Sequence, residues 1–389
     1  MQEFELRVQL KKALAGRSLK KVLLLPPDAT RTHSYAGKIT RLLCEMLKGC
    51  HIDIMPALGT HEPVSEKECA DFLGVPFSML INHDWRNDIV KLGEVPAEFV
   101  ASVSEGLMTS PIDVEVNKRL LDTTYDIIIS IGQVVPHEVA GMANYSKNIF
   151  VGCGGSSMIN SSHMLGAYYG IERTLGKTDS PVRKVFDYAE EHFISHIPLL
   201  YVLTVTTQGE LDDVFIGRSR TLFKQAAALS WEKNLSVVEK PVQRCVVWLD
   251  EQEFKSTWLG NKAIYRTRMA MADGGELIIL APGVKRFGED EAVDILIRKY
   301  GYCGRKNIIR LCNENADLRE NLSAAAHLIH GSADGRFNVT YAAGKLTREE
   351  VEGVGFRYMP LDEAIKLKDT GDLYIDNPAL GLWMAKGSH

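Results

Sequence analysis

The sequence predicts an α/β fold built as two domains, and three observations predict it. Short apolar runs alternate with helix-length amphipathic segments, the pattern of strands and helices that build a largely parallel sheet. The loops that follow those runs carry His, Arg, Asp and Lys, and open α/β sheets bind ligands at the carboxyl ends of their strands. The chain of 389 residues exceeds the roughly 150 residues of one typical domain.

The elements follow in order. KVLLL (21–25) reads as a buried strand, with a helix over about 36–48 after its loop. HIDIMPAL (51–58) is a second strand. SEKECADFLG (65–74) reads as a helix opened by a capping box, since Ser65 stands three residues before Glu68. YDIIISIG (125–132) is a third strand, and NIFVGCGG (148–155) is expected to run as a strand into a glycine-rich turn. EKPVQRCVVWL marks a boundary near residue 241 and a strand at 244–249. GELIILAP (275–282) is the next strand, with a helix over roughly 288–299, and KNIIRL (306–311) and NVTYAA (338–343) continue the strand pattern. The expected division is 1–240 and 241–360, with the segment 361–389 packing back on the first domain.

Composition narrows the classes. Hydrophobic residues at 45% and charged residues at 24% describe a globular chain rather than a disordered one. A net charge of −5 argues against a nucleic-acid or anionic-membrane partner for the chain as a whole. Seven scattered cysteines without CxxC fit neither a disulfide framework nor a zinc knuckle. With no apolar signal segment and no run near the roughly 18 residues of a spanning helix, a cytoplasmic protein is expected. The closing Gly-Ser-His resembles a tag remnant, so His389 is set aside.

The chemistry is expected in the loops. Asp28-Ala-Thr-Arg31 lies between a strand and a helix, where Arg31 could hold a carboxylate or phosphate; an N-cap Asp beside a surface Arg gives the same letters. His61, in GTHEP, and His137, in VVPHEVAG, each follow an apolar strand and suit general acid/base work. Two opposed bases are what a racemase needs; two solvated loop histidines are the plainer reading. Lys147 enters an apolar run, which lowers an amine's pKa and suits a covalent link, although a strand-edge lysine also fits. Gly154, Gly155 and Ser156 could form a backbone nest for an anion. His163 is a single metal-ligand type residue. His33, His51, His83, His192, His196, His327 and His330 default to structure or surface.

Taken together, DATR (28–31), LGTHEPVSEKE (58–68), NHD (82–84), PIDVEVNK (111–118), VVPHEVAG, Lys147, GCGGSS and SSH (161–163) resemble the lactate racemase family, over about residues 20–170 and in that family's order. APGVKRFGED extends the likeness past residue 240. The resemblance implies two Rossmann-like α/β domains with the active site in the cleft between them. It also implies a nickel-pincer nucleotide attached covalently to Lys147, with Gly154, Gly155 and Ser156 beside it, and His163 as the protein ligand to nickel. His61 and His137 would be alternate general acid/bases, and Arg31 and Lys285, with Asp28, would hold the substrate carboxylate. The implied reaction inverts C2 of a 2-hydroxy acid by reversible hydride transfer, because the Cα–H of such a substrate is a poor acid. Proteins that synthesise the cofactor would be partners.

Two departures bear on detail. Asn144-Tyr-Ser146 stands where family members often have a glycine- and arginine-rich run. Ala281 and Pro282 stand where lactate-specific members carry an aromatic residue and a glutamine, which leaves room for a substrate larger than lactate, such as a sugar acid. The rival readings are a zinc- or manganese-dependent hydrolase or sugar isomerase using the same histidines as ligands, and a carboxylate-binding protein.

Overall fold

The computed structural model describes residues 1–379 and 381–387, so His389 lies outside the described residues. The chain forms two compact units, Met1–Leu165 with Leu175–Lys233, and Gly166–Thr174 with Asn234–His389.

The strands of the first unit are β1 (Lys21–Leu25), β2 (His51–Ile54), β3 (Ile89–Val95), β4 (Ile112–Asn117), β5 (Ile127–Gln133), β6 (Pro136–His137), β7 (Gly141–Met142), β8 (Leu199–Thr207) and β9 (Glu210–Gly217). Its main sheet runs in the order β2-β1-β5-β8-β9. All neighbours are parallel except β9, which returns antiparallel along β8. Leu23 and Leu25 of β1 pack into one core, and Val22 and Leu24 into another on the opposite face. Burial on both faces is why this strand reads as a continuous apolar run rather than an alternating one. The order reverses between β1 and β5, so the loops leaving their carboxyl ends diverge and open a crevice there.

Two expectations in this unit change. Residues Asn148–Gly152 form a wide helical turn, not a strand. The cause lies upstream: Asn144 and Tyr145 adopt φ of 60° and 57°, the left-handed region, which turns the chain before it can extend. The helix expected over 65–74 is split into Glu66–Glu68, opened by the expected Ser65–Glu68 capping box, and a wide turn over Cys69–Leu73.

The second unit holds β10 (Leu235–Val238), β11 (Val242–Trp248), β12 (Met271–Ala281), β13 (Asn338–Ala343), β14 (Arg357–Tyr358), β15 (Leu373–Ile375) and β16 (Leu382–Ala385). Its parallel sheet runs β14-β13-β12-β11-β15. The expectation that 361–389 returns to the first unit is not met. β15 adds to the open edge of β11, and β16 pairs with β10, so main-chain hydrogen bonds keep the segment in the second unit. KNIIRL is also corrected, from strand to the helix Arg305–Glu314. Ile308 and Cys312 are its buried residues, four apart on one face, so the period is helical.

His327 sits in the core of this unit, stacked on Trp258 and bonded through its two ring nitrogens to the hydroxyls of Tyr265 (2.9 Å) and Tyr302 (2.8 Å). Burial lowers its pKa to about 3. Among the described residues, no helix is long and apolar enough to cross a membrane.

Candidate active site

The loop after β1 turns at once into a short helix over Ala29–Ser34, and Asp28 caps it by accepting from the Thr30 N–H at 2.8 Å. The buried Asp28 carboxylate also meets His61 Nδ1 at 3.1 Å. Burial pushes the Asp28 carboxyl up. The hydrogen bond and charge of His61, the charge of Arg31 and the bond from Thr30 outweigh burial and hold it well below the usual carboxylate range. A carboxylate at Nδ1 fixes the ring, so the proton sits on Nδ1 and Nε2 keeps its lone pair. His61 itself is 43% exposed, so that lone pair is accessible.

The His61 loop is tied to the segment that follows Lys147. Gly59 N–H donates to the Gly152 carbonyl at 2.9 Å, and a Cβ on Gly152 would lie 2.7 Å from the Ala57 Cβ. Asn148 fastens the same segment to the sheet, donating to Leu25 O (3.3 Å) at the end of β1 and to Ser130 Oγ (2.8 Å) in β5. Lys147 is half-buried and recessed. Desolvation, followed by the positive charge of Arg31, lowers its pKa to about 8, against the opposing charge of Glu138.

Asn144-Tyr-Ser146, the departure noted in the sequence, has its own support. The fully buried Arg183 donates to Asn144 O (3.2 Å), Ser146 Oγ (2.8 Å) and Met142 O (2.5 Å), and Tyr145 OH donates to Arg218 O. Gly132 is obligatory opposite it, because a Cβ there would stand 2.0 Å from Asn144 Nδ2.

His137 follows β5 on the short β6–β7 ladder. Its Nδ1 accepts from the main-chain N–H groups of Val139 (3.1 Å) and Ala140 (3.3 Å). The proton therefore sits on Nε2, and the ring presents a donor outward. Burial, together with the charges of Lys147, Arg31 and His163, holds its pKa well below 6.5 against the pull of Glu138. The two histidines are thus unlike: one presents a lone pair, the other a proton.

His163 lies on the helix Ser156–Tyr169, where its Nδ1–H donates to the Ile159 carbonyl at 2.6 Å. Burial and the charge of Lys147 lower its pKa to about 4, so the ring is neutral with a free Nε2. A neutral imidazole whose other nitrogen is held by a carbonyl is the arrangement of a metal-ligating histidine. Among the described residues, no group of three or more His, Cys, Asp or Glu side chains could hold a metal ion by itself.

The structure therefore brings Asp28, Arg31, His61, His137, Lys147 and His163 into one network of bonds and charges in the first unit. Lys285 lies in the second unit, exposed, just past the carboxyl end of β12. Ala281, expected to widen the substrate space, is the last residue of β12 and fully buried, so Pro282 is the residue of the pair with exposed surface.

Next to the anion nest expected at Gly154, Gly155 and Ser156, the helix start is met by a carboxylate of the chain. The Glu115 carboxylate already accepts from the Ser157 (3.0 Å) and Met158 (3.3 Å) N–H groups, and a Cβ on Gly155 would fall 2.3 Å from that carboxylate. The glycines admit the chain's own Glu115 to the helix N-terminus, which leaves these amides satisfied.

His83 shows what the sequence reading missed. It is buried, with Nε2 to Gly154 O at 3.1 Å and Nδ1 receiving Asn117 Nδ2 at 3.0 Å. It locks the glycine turn in place. His83→Ala should cost about 1–3 kcal/mol in a urea titration, because it strands the Asn117 amide and the Gly154 carbonyl. A loss below a few tenths would remove His83 from this role. Glu138 is the other omission; its charge acts on His137, Lys147 and His163 alike, and an acidic residue directly after the histidine was the available signal.

The depressed histidines set an acid limit. His83 and His327 are buried neutral, with folded pKa values below the unfolded value of about 6.5. Below that value the unfolded chain binds more protons than the folded one, so their contribution is complete above about pH 6.5 and is lost as pH falls toward the folded values. Each should contribute a slope of up to about 1.4 kcal/mol per pH unit. A flat stability profile from pH 7 to 5 would contradict this.

Residues 8–172 match the family described as the lactate racemase N-terminal domain. A crystal structure of a protein from Thermotoga maritima is similar at 25% identity, with a TM-score of 0.84 over 99% of both chains. The lactate racemase apoprotein from Thermoanaerobacterium thermosaccharolyticum shares the fold at 17% identity, with a TM-score of 0.74 over 96% of this chain and 88% of that one. No curated protein matches the chain in sequence. The stretch that carries Asp28, His61, His137, Lys147 and His163 is thus the part of the chain that is similar to the lactate racemase N-terminal domain.

Proposed function

We propose that the protein is a racemase or epimerase of 2-hydroxy acids that works with a nickel-pincer nucleotide. The observation that supports it is the single network in which Arg31, His137, Lys147 and His163 act on one another while Asp28 orients His61.

The residues fit the group. Lys147 offers a recessed amine with a pKa of about 8, suited to a covalent bond near neutral pH. His163 offers one neutral nitrogen donor, which suits a metal whose remaining donors come from the organic cofactor. When bound, the group supplies the acceptor and donor for the Cα hydride.

The chain does the rest. Arg31, exposed in the loop after β1, pairs with the substrate carboxylate, and Lys285 is the candidate for a second contact. His61 Nε2 takes the hydroxyl proton, and the Asp28 carboxylate stabilises the imidazolium that forms. His137 Nε2–H donates to the substrate oxygen as it becomes a carbonyl. In the opposite direction the two roles exchange, and His137 takes a proton at Nε2 only after its own proton moves to Nδ1 and the Val139 and Ala140 amides are given up, so the two histidines are unequal bases. The preferred substrate is larger than lactate, a sugar acid being the leading class.

The test is co-expression with the proteins that synthesise the cofactor, followed by metal analysis, intact mass and a chiral assay on a panel of 2-hydroxy acids. The expected result is nickel, a nucleotide-sized adduct on Lys147 and turnover of a longer acid. Zinc without an adduct would favour a hydrolase or isomerase, and lactate turnover alone would refute the larger substrate.

A further inference from the structure

The second unit contains a cavity of about 710 Å³ whose lining runs against the charge of the whole chain. The protein carries a net charge of −5, yet six cationic side chains line this space: Arg173, Arg268, Arg305, Lys306, Arg336 and Arg357. Only Glu172 and Asp334 oppose them in the lining, a surplus of four positive charges. The volume falls within the range of small-molecule sites.

The cations differ in how they are held. Arg268 pairs with Glu172 (3.1 Å) and Asp334 (3.5 Å), and Arg336 with Glu172 (2.6 Å) and Asp273 (2.9 Å), so these two form a neutralised floor, while Arg173 lies over the Tyr169 ring. Arg305 places one guanidinium nitrogen on the main-chain carbonyls of Tyr168 and Tyr169. Lys306 and Arg357 are exposed and have no ion pair among the described residues. Holding unpaired cations around one concavity is unfavourable in the absence of an anion, and it concentrates positive potential inside it.

The start of the helix Arg305–Glu314 at the cavity is already met by the chain itself, since Asp334 accepts from the Arg305 N–H at 2.7 Å and Ser332 Oγ from the Gly304 N–H at 3.0 Å. Gly304, Gly335 and Gly355 line the same space with φ of 96°, 76° and 92°, so main chain rather than side chain approaches the cavity there. Phe337 and Phe356 stand behind the lining, both buried, with Phe356 stacked on Tyr302 and Tyr341.

The position separates this site from the chemistry of its own sheet. Asn338 and Arg357 begin β13 and β14, and Arg268 precedes β12, so the cavity lies at the amino edge of the strands. Lys285 follows the carboxyl end of β12, at the opposite edge. We propose that the cavity is a binding site for a phosphorylated small molecule, with Lys306 and Arg357 holding its phosphate oxygens. The proposal is independent of the racemase reading.

The test is isothermal titration of the full chain at fixed ionic strength with pyrophosphate, ADP and adenosine. The same titrations are run on the double variant Lys306→Ala, Arg357→Ala, whose melting temperature should match the parent because neither side chain is paired. Pyrophosphate and ADP should bind, adenosine should bind far more weakly than ADP, and the double variant should lose about tenfold per cation removed. ADP binding tighter than pyrophosphate identifies a nucleotide-like ligand. Equal binding identifies the phosphate group alone, which also supports the site. Absence of binding by both, or equal binding by parent and variant, overturns it.

Discussion

Replacing His61 with asparagine should lower racemisation by about 10²- to 10⁴-fold, the usual range for loss of a positioned acid/base. The Asp28 carboxylate 3.1 Å from Nδ1 leaves Nε2 as the site's preformed base, and asparagine cannot hold the proton. His137→Asn should cost less. The amide can still donate, and the resting ring already presents a donor rather than a lone pair. A chiral assay run from each enantiomer reads both variants: each should lose kcat/KM equally in the two directions, with the larger loss for His61→Asn. Identical losses in both variants would restore a symmetrical pair of bases and sink the unequal roles drawn here. Far-ultraviolet circular dichroism should be unchanged, since His61 is exposed.

Lys147→Met should abolish the nucleotide adduct and with it all turnover. The amine's own chemistry can be checked without cofactor. With a pKa of about 8, half of Lys147 is unprotonated at pH 8, against about 0.3% of an ordinary lysine, a reactivity advantage of about 150-fold before access is considered. Limited acetylation followed by peptide mass mapping should therefore mark Lys147 ahead of the surface lysines, with half-maximal rate near pH 8. Labelling no faster than bulk lysine would show that burial shields the amine rather than activating it. An adduct found on a different lysine would remove Lys147 from the proposed site.

Much of the scaffold was legible because its strands are buried on both faces. KVLLL and NVTYAA fall where they were expected, since a continuous apolar run of that length has few other places to go. The errors share a cause. NIFVG and KNIIRL are also apolar runs, but periodicity over five or six residues cannot separate a strand from one helical turn. What decided the first was a left-handed pair at Asn144 and Tyr145, held from outside by Arg183, and that brace comes from a segment nearly forty residues away. Of the candidate site residues of the first unit, Asp28, Arg31, His61 and His137 were read as loop residues after strands, Lys147 as a lysine entering an apolar run and His163 as a single ligand-type residue. Their protonation was not legible, because the tautomer of His137 depends on two main-chain amides and that of His163 on one carbonyl. The surroundings of GCGGSS were hidden for a related reason: nothing in it says that Glu115, on a strand about forty residues earlier, accepts from the Ser157 and Met158 amides.

That carboxylate makes the start of the helix bearing His163 insensitive to its surroundings. With Glu115 acting as a built-in counter-ion, sulfate, chloride or phosphate in the buffer has no vacancy to fill there. The helix that carries His163 therefore starts on a charge interaction internal to the chain rather than on an ion drawn from the medium.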